Sequence, residues 1–313
     1  MKLIDEATWR NARKFVHYGL DAGGFRPHFD EVPISQQAND AAQAIRGRDR
    51  GPAILIHGVM PRSGTVYVGE LLRLHPVLYA FPNQVWEFPF LKYAPQVFAM
   101  QREFLWAYEQ NKGKIGDQDF LPLFGSSVIA YLHAATPQGQ RMLLKVPSVE
   151  HLDRFYHAFP HEHLFMLIRD GRDVVQSTLN TWPQLRFSMV CLRWRHAAQM
   201  TLSCHQRYNG REGYWLGRFE DAIREPEVFV RNACQYFGVD ANQYPFERIG
   251  QIPVHGSSAI KKDGKVTWMP VAQRVGFNPL GRWQKWSRLK KALFKLIAGQ
   301  QLVALGYAQD TNW

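Results

Sequence analysis

Ala53–Leu74 reads AILIHGVMPRSGTVYVGELLRL, and the fold is decided here. Ala53 to His57 is a short apolar run of the kind that forms a buried strand. Gly58 to Gly64, with Pro61 between them, supplies turn chemistry. From Thr65 onward Val68, Leu71, Leu72 and Leu74 recur at helical spacing. Strand, glycine-containing loop and helix start, in that order, make a phosphate cradle: loop N–H groups and the positive end of the helix dipole converge on one concavity. Ser63 and Thr65 add hydroxyl donors, and Arg62 adds a fixed charge. The spacing is not that of a nucleoside-triphosphate loop, GxxxxGK[ST], which needs a lysine before the Ser/Thr. Taken alone, the loop suits several phosphate binders or a plain tight turn.

Composition bounds the rest. The chain has 313 residues, 46% hydrophobic and 21% charged, which is ordinary globular composition and enough for one large α/β domain or two small ones. A net charge of +11 and a pI near 9.6 favour acidic ligands or surfaces. No apolar run approaches the roughly 20 residues that span a bilayer, and MKLIDEATWRNARKF is charged and amphipathic rather than a signal segment. Cys191, Cys204 and Cys234 have neither metal nor redox spacing and read as reduced thiols in a cytoplasmic protein.

Residues 1–50 read as two helices, the first around Trp9, Ala12, Arg13 and Val16 and the second over Gln36 to Ile45. After the loop, His75 to Leu78 leads into a short strand. Tyr79 to Phe98 is then aromatic and interrupted by prolines, with Glu87 among apolar neighbours that would desolvate it and raise its pKa. Two helices are expected over Gln96 to Gln110 and Phe120 to Ala134. Their aromatics (Phe98, Phe104, Trp106, Tyr108, Phe120, Phe124, Tyr131) suit an acceptor pocket or a core, and core is the commoner use. Strands are expected at Arg141 to Val146, His163 to Ile168 and Tyr214 to Phe219, with a helix at Val149 to Phe159 capped by Ser148. His157, His161 and His163 straddle a turn and share no face for a metal, which points to a solvated turn. Arg169 ends a strand, and Asp170 caps the helix that follows with Asp173 placed as in a capping box, so Arg169 and Ser177 can both face the crevice at the strands' carboxyl ends. Further helices are expected from Leu192 to Tyr208, from Pro226 to a stop at Gly238, and from Leu289 to Leu305.

Pro-Arg-Ser-Gly-Thr after a buried strand, with LLKVPSVEHLDRFYHAFPHEHLFMLIRDGRDVVQS about a hundred residues on, resembles the sulfotransferases that use 3′-phosphoadenosine 5′-phosphosulfate (PAPS) and release PAP. The resemblance covers residue 53 to the end and is to soluble, bacterial-type forms. It implies an α/β, P-loop-like three-layer fold, with a mainly parallel sheet of about four or five strands between helices. It also implies one domain over 1–313: an N-terminal helical extension at 1–50, the 5′-phosphosulfate loop at 53–74, a 3′-phosphate segment at 163–180 and a cover loop at 255–286. The donor site it implies comprises Arg62, Ser63, Gly64, Thr65, Val66 and Tyr67 at the 5′ end and Arg169 with Ser177 at the 3′-phosphate. The family pattern usually has proline after the RD pair, where this chain has Gly171. Phe219-Glu220-Asp221 stands where cytosolic members have Tyr-Glu-Asp, so Phe219 can stack on adenine but not hydrogen-bond. Arg274-Val275-Gly276 with Gly281-Arg282-Trp283-Gln284-Lys285 partly matches RKGxxGxWK, which carries Arg274, Gly276 and Arg282 over to the 3′-phosphate.

In several groups of that family a glutamate a short way beyond the loop deprotonates the acceptor, and Glu87 is so placed. The expected reaction is in-line displacement of a sulfuryl group onto a hydroxyl or amine of a small-molecule or glycan acceptor. Glu87 is the general base, Arg62 and loop amides hold the transferring group, and Lys145 assists the leaving group. His133 and His57 are reserve bases. No carboxylate pair suited to a metal lies beside the loop. One rival is an ATP-dependent P-loop phosphotransferase, which Mg²⁺-dependent turnover would favour. The other is a nucleic-acid binder, which needs a contiguous basic stripe where this chain scatters its basic residues.

Overall fold

Five short runs of branched and aromatic residues build one sheet. They are β1 (Ile54–Gly58), β2 (Leu78–Ala80), β3 (Arg141–Val146), β4 (His163–Ile168) and β5 (Tyr214–Arg218), in the order β2-β3-β1-β4-β5. Every pairing is parallel, with Ile54 opposite both Leu143 and His163. The computed structural model describes residue 29 and residues 33–80, 85–252, 259–260, 266–267 and 278–313. The first expected helix, Arg274, Gly276 and most of the expected cover loop lie outside the described residues.

Strand side chains alternate between two cores, as period two requires. Leu55, Leu144, Leu164 and Met166 enter one core with Trp194 of the helix Phe187–Tyr208 and Phe294 of the helix Arg288–Ala304. Ile54, Ile56, Leu143, Phe165 and Leu167 enter the other, with Val68 and Leu71 of the helix Thr65–Leu72 and with Phe229 and Phe237 of the helix Pro226–Phe237. Because all five strands run the same way, their carboxyl ends form one edge, and the loops after β1, β3, β4 and β5 meet there. The expected three-layer α/β architecture is the one observed.

Three expectations are corrected. No continuous helix runs from Val149 to Phe159: Ser148 Oγ accepts from the Glu150 N–H at 3.1 Å, but His151 takes φ 54°, and only a 3₁₀ turn (Leu152–Arg154) and a short helix (Phe155–Ala158) follow. The aromatics of the helices Ala94–Trp106 and Phe120–His133 are not mainly core. Phe104, Trp106, Tyr108, Phe124 and Tyr131 are exposed, because Ala94, Leu105, Leu121, Ile129 and Leu132 already fill the inward stripes. The turn at His157 to His163 is also drier than expected: His163 Nδ1 sits 3.1 Å from Arg141 Nη2, and burial lowers its pKa to about 4.

Candidate active site

The loop after β1 is braced from within. Val59 extends the ladder by donating to Leu167 O at 3.1 Å. Ser63 was expected to offer its hydroxyl to an anion; instead it donates to Met60 O at 2.6 Å and accepts from Met60 N–H at 3.1 Å, so the side chain is a strut. Gly64 then takes φ 93° and starts the helix Thr65–Leu72, and a Cβ there would lie 2.2 Å from Phe219 Cδ2. Glycine is needed on both counts: left-handed backbone and contact with a ring. The first N–H groups of that helix, at Thr65, Val66 and Tyr67, have no carbonyl one turn earlier to bond, which is what an anion site requires.

Three arginines gather at this helix start. Arg62 Nε donates to Ser177 Oγ at 3.1 Å, so the loop after β1 and the helix Gly171–Thr181 touch through the side chains expected at the donor's two ends. Arg169 leaves the end of β4, fully buried. Its Nη1 donates to Arg62 O at 2.8 Å, its Nη2 donates to Pro279 O at 2.6 Å, and its guanidinium lies 4.5 Å from the centre of the Phe219 ring. Arg169 Nε is buried with no hydrogen-bond partner among the described residues. Burial, then the charges of Arg169 and Arg282, lower the Arg62 pKa to about 10. The charges of Asp173, Glu220 and Asp170 partly offset Arg169, and the positive charge gathered at Arg62 and Arg282 suits a polyanion, so a two-phosphate nucleotide fits this donor set. Phe219 differs from expectation: it is 2% exposed and packed between Gly64 and Arg169, so its ring backs the loop.

The other flank of the loop carries a pair. Lys145, next to last in β3, has its side chain fully enclosed, its Nζ 3.8 Å from Glu87 Oε1 and 4.1 Å from the centre of the Trp86 ring. Phe88 N–H donates to Lys145 O at 2.9 Å, which fixes the Trp86–Glu87 bend against the sheet edge. Glu87 is not the desolvated acid its apolar neighbours suggested: its side chain is 42% exposed, because Trp86 and Glu87 both turn outward while Phe88 turns in. Burial lowers the Lys145 pKa to about 8 against the pull of Glu87 and Glu70. Of the reserve bases, His57 is buried at the end of β1 with Nδ1 2.9 Å from Ser148 O, and burial lowers its pKa to about 4. His133 is far from this edge. Burial lowers its pKa to about 4, helped by Arg46 and Arg50, which lie at the amino ends of the strands.

Past its undescribed part, the chain returns to the site at Asn278. Gly281 and Trp283 donate backbone hydrogen bonds to Asp173, and Arg282 opens on a cleft of about 580 Å³ lined also by Gln176, Asn180, Lys285 and Lys290, with no carboxylate. Among the described residues no group of three or more His, Cys, Asp and Glu is arranged to hold a metal. Nor is any described helix long and apolar enough to cross a membrane. Residue-level reading missed Trp86, Glu70 and Pro279. Only Trp86, adjacent to Glu87, carried any local signal.

Residues 52–243 match the profile of the sulfotransferase family, which is more than half of the chain. The chain belongs to that family. Its fold is similar to that of the sulfotransferase domain of the Synechococcus PCC 7002 olefin synthase, with 19% identity and a TM-score of 0.52 over 83% of this chain and 96% of that one. A mouse sulfotransferase complexed with PAP aligns with 11% identity and a TM-score of 0.48, over 90% and 98% of the two chains. A sulfotransferase from Alicyclobacillus acidocaldarius aligns with 16% identity and a TM-score of 0.45, over 82% and 96%. No curated protein matches the sequence. This sulfotransferase takes its sulfuryl group from PAPS and releases PAP.

Proposed function

We propose that this sulfotransferase acts on a hydroxyl or amine of a small-molecule or glycan acceptor, with Glu87 as general base. The donor would be held at its 5′ end by Arg62 and the Thr65, Val66 and Tyr67 amides, and at its 3′-phosphate by Arg169 and Ser177. Arg274 and Gly276 complete that site in this reading. PAPS, when bound, supplies an activated sulfuryl group already carrying a stable leaving phosphate. Everything else falls to the chain. Glu87 takes the acceptor proton at the exposed rim, where an acceptor can reach it. Lys145, enclosed behind Glu87, places positive charge toward the developing negative charge of the leaving group. Ser63 keeps the loop in shape. The whole of residues 1–313 acts as one domain, and the buried free thiols of Cys191, Cys204 and Cys234 support a cytoplasmic setting.

One observation carries the reading: the Arg62 side chain bonded to Ser177, with Arg169 and Arg282 close enough for their charges to be felt. A single-phosphate ligand does not need all three. The experiment is a thermal shift with PAP beside 5′-AMP and ATP–Mg²⁺. PAP at about a hundred times its Kd stabilises by about 2.7 kcal/mol. That rise is expected for PAP alone, and Arg169→Ala removes it. Equal stabilisation by ATP–Mg²⁺ overturns the two-phosphate site.

A further inference from the structure

Asp173 lies in the first turn of the helix Gly171–Thr181, where a capping role is the local reading. Asp170 is the cap itself, as expected, accepting from the Arg172 N–H at 2.9 Å. The Asp173 carboxylate leaves its own helix. Its Oδ2 accepts from the Gly281 N–H at 2.7 Å and its Oδ1 from the Trp283 N–H at 3.3 Å. Those two amides flank one residue, Arg282, so the carboxylate grips the chain on both sides of that arginine.

Arg282 is aimed by this grip. Its charge is felt by both Arg62 and Arg169, and its Nη2 lies beside the side-chain amide of Asn180, one turn beyond Gln176. Left to repulsion alone, an arginine on a surface segment would turn away from the half-buried Arg62 and the buried Arg169. The flanks of the segment are pinned separately, by Arg169 Nη2 on Pro279 O at 2.6 Å and by Trp286 Nε1 on Gln176 Oε1 at 2.6 Å. Asp173 is therefore spare for holding the segment and specific for orienting its middle.

We infer that Asp173 is a positioning residue that holds the Gly281 and Trp283 amides so that Arg282 is presented to the anionic groups of the donor, and that it thereby sets the affinity for PAPS and PAP. The inference rests on the donor-site reading above for what Arg282 meets. The carboxylate supplies no contact to the donor itself.

The test is a double-mutant cycle on PAP binding by calorimetry, with wild type, Asp173→Asn, Arg282→Ala and the double variant. Each single variant weakens PAP about tenfold or more, the size of a lost charge-assisted contact. The double variant binds no more weakly than Arg282→Ala. Asp173→Asn raises the KM for PAPS while leaving the acceptor KM unchanged, a split that general loosening of the fold would not give. Additive losses overturn the inference, as does wild-type affinity in either single variant. Should Asp173→Asn not fold, amide exchange in the wild type decides. Coupling is reciprocal, so PAP slows exchange at Gly281 and Trp283, and unchanged exchange overturns the inference. Failure of the wild type to bind PAP would instead sink the donor site, a separate outcome.

Discussion

Lys145 is the residue whose surroundings conflict most with its chemistry. Its ammonium is shut away from water near the end of β3, and burial takes its pKa from 10.5 to about 8 while Glu87 and then Glu70 resist. The unfolded chain keeps that proton up to about pH 10.5, so between about pH 8 and 10.5 it binds more protons than the folded protein. Stability contributed by this group therefore rises with pH across that window and is at its lowest below it. Lys145→Met abolishes the rise, measured as Tm against pH, and raises Tm at pH 7. The same substitution lowers kcat. With Lys145 in the role proposed for it, kcat of the wild type falls as pH climbs through about 8, where the ammonium loses its proton. Glu87→Gln lowers kcat by about 10²–10⁴-fold with PAP affinity kept. Retention of kcat by Glu87→Gln would remove Glu87 from the chemistry. Local sequence located this pair but misjudged its exposure: apolar neighbours along the chain imply a desolvated acid, whereas the bend at Trp86 to Phe88 sends the tryptophan and the acid out and the phenylalanine in.

Among elements, the helix Gly171–Thr181 shows why this chain departs from its family at one position. A Cβ on Gly171 would lie 2.2 Å from Cε2 of Trp194, whose ring is fully buried in the helix Phe187–Tyr208. Glycine at 171 and tryptophan at 194 are one choice made twice. Gly171→Ala destabilises by about 2 kcal/mol or more as an overpacked site. Combining it with Trp194→Leu costs less than the sum of the two single changes in urea unfolding, and strict additivity would refute the coupling. The strands at Arg141–Val146 and His163–Ile168 were legible to the residue, because their apolar stretches, Met142–Leu144 and Leu164–Ile168, stand out as those of buried parallel strands do. The helix Phe187–Tyr208 was legible except for its first turn. The grip of Asp173 on Gly281 was not legible, since the partner lies 108 residues away and backbone amides leave no mark in sequence. The break at His151 was equally silent, as histidine does not announce a left-handed conformation. Arg169 and Ser177 could be located by motif, but Arg169 bonded to the Arg62 and Pro279 carbonyls could not.

Across the whole molecule the sheet separates its two edges by task. The carboxyl edge carries the chemistry, and the amino edge carries fastenings. There Arg46, ending the helix Gln36–Arg46, meets Glu162 at 2.6 Å with both side chains 3% exposed, and Glu162 also accepts from the Ala53 N–H at the entry to β1. Arg46→Met strands a buried carboxylate and costs about 3–5 kcal/mol, while PAP affinity in the folded fraction is unchanged. A loss of PAP affinity would mean that the two edges communicate. The order β2-β3-β1-β4-β5 has a further result for the chain as it is made. β1 is the first of these five strands out of the ribosome and the middle strand of the finished sheet, yet Ile54 pairs with Leu143 on one side and His163 on the other. At about 5–20 residues per second, the phosphate loop and its strand wait on the order of ten seconds before either neighbour exists. During synthesis, the part of the protein that defines its chemistry is the part most exposed to chaperones and to mispairing.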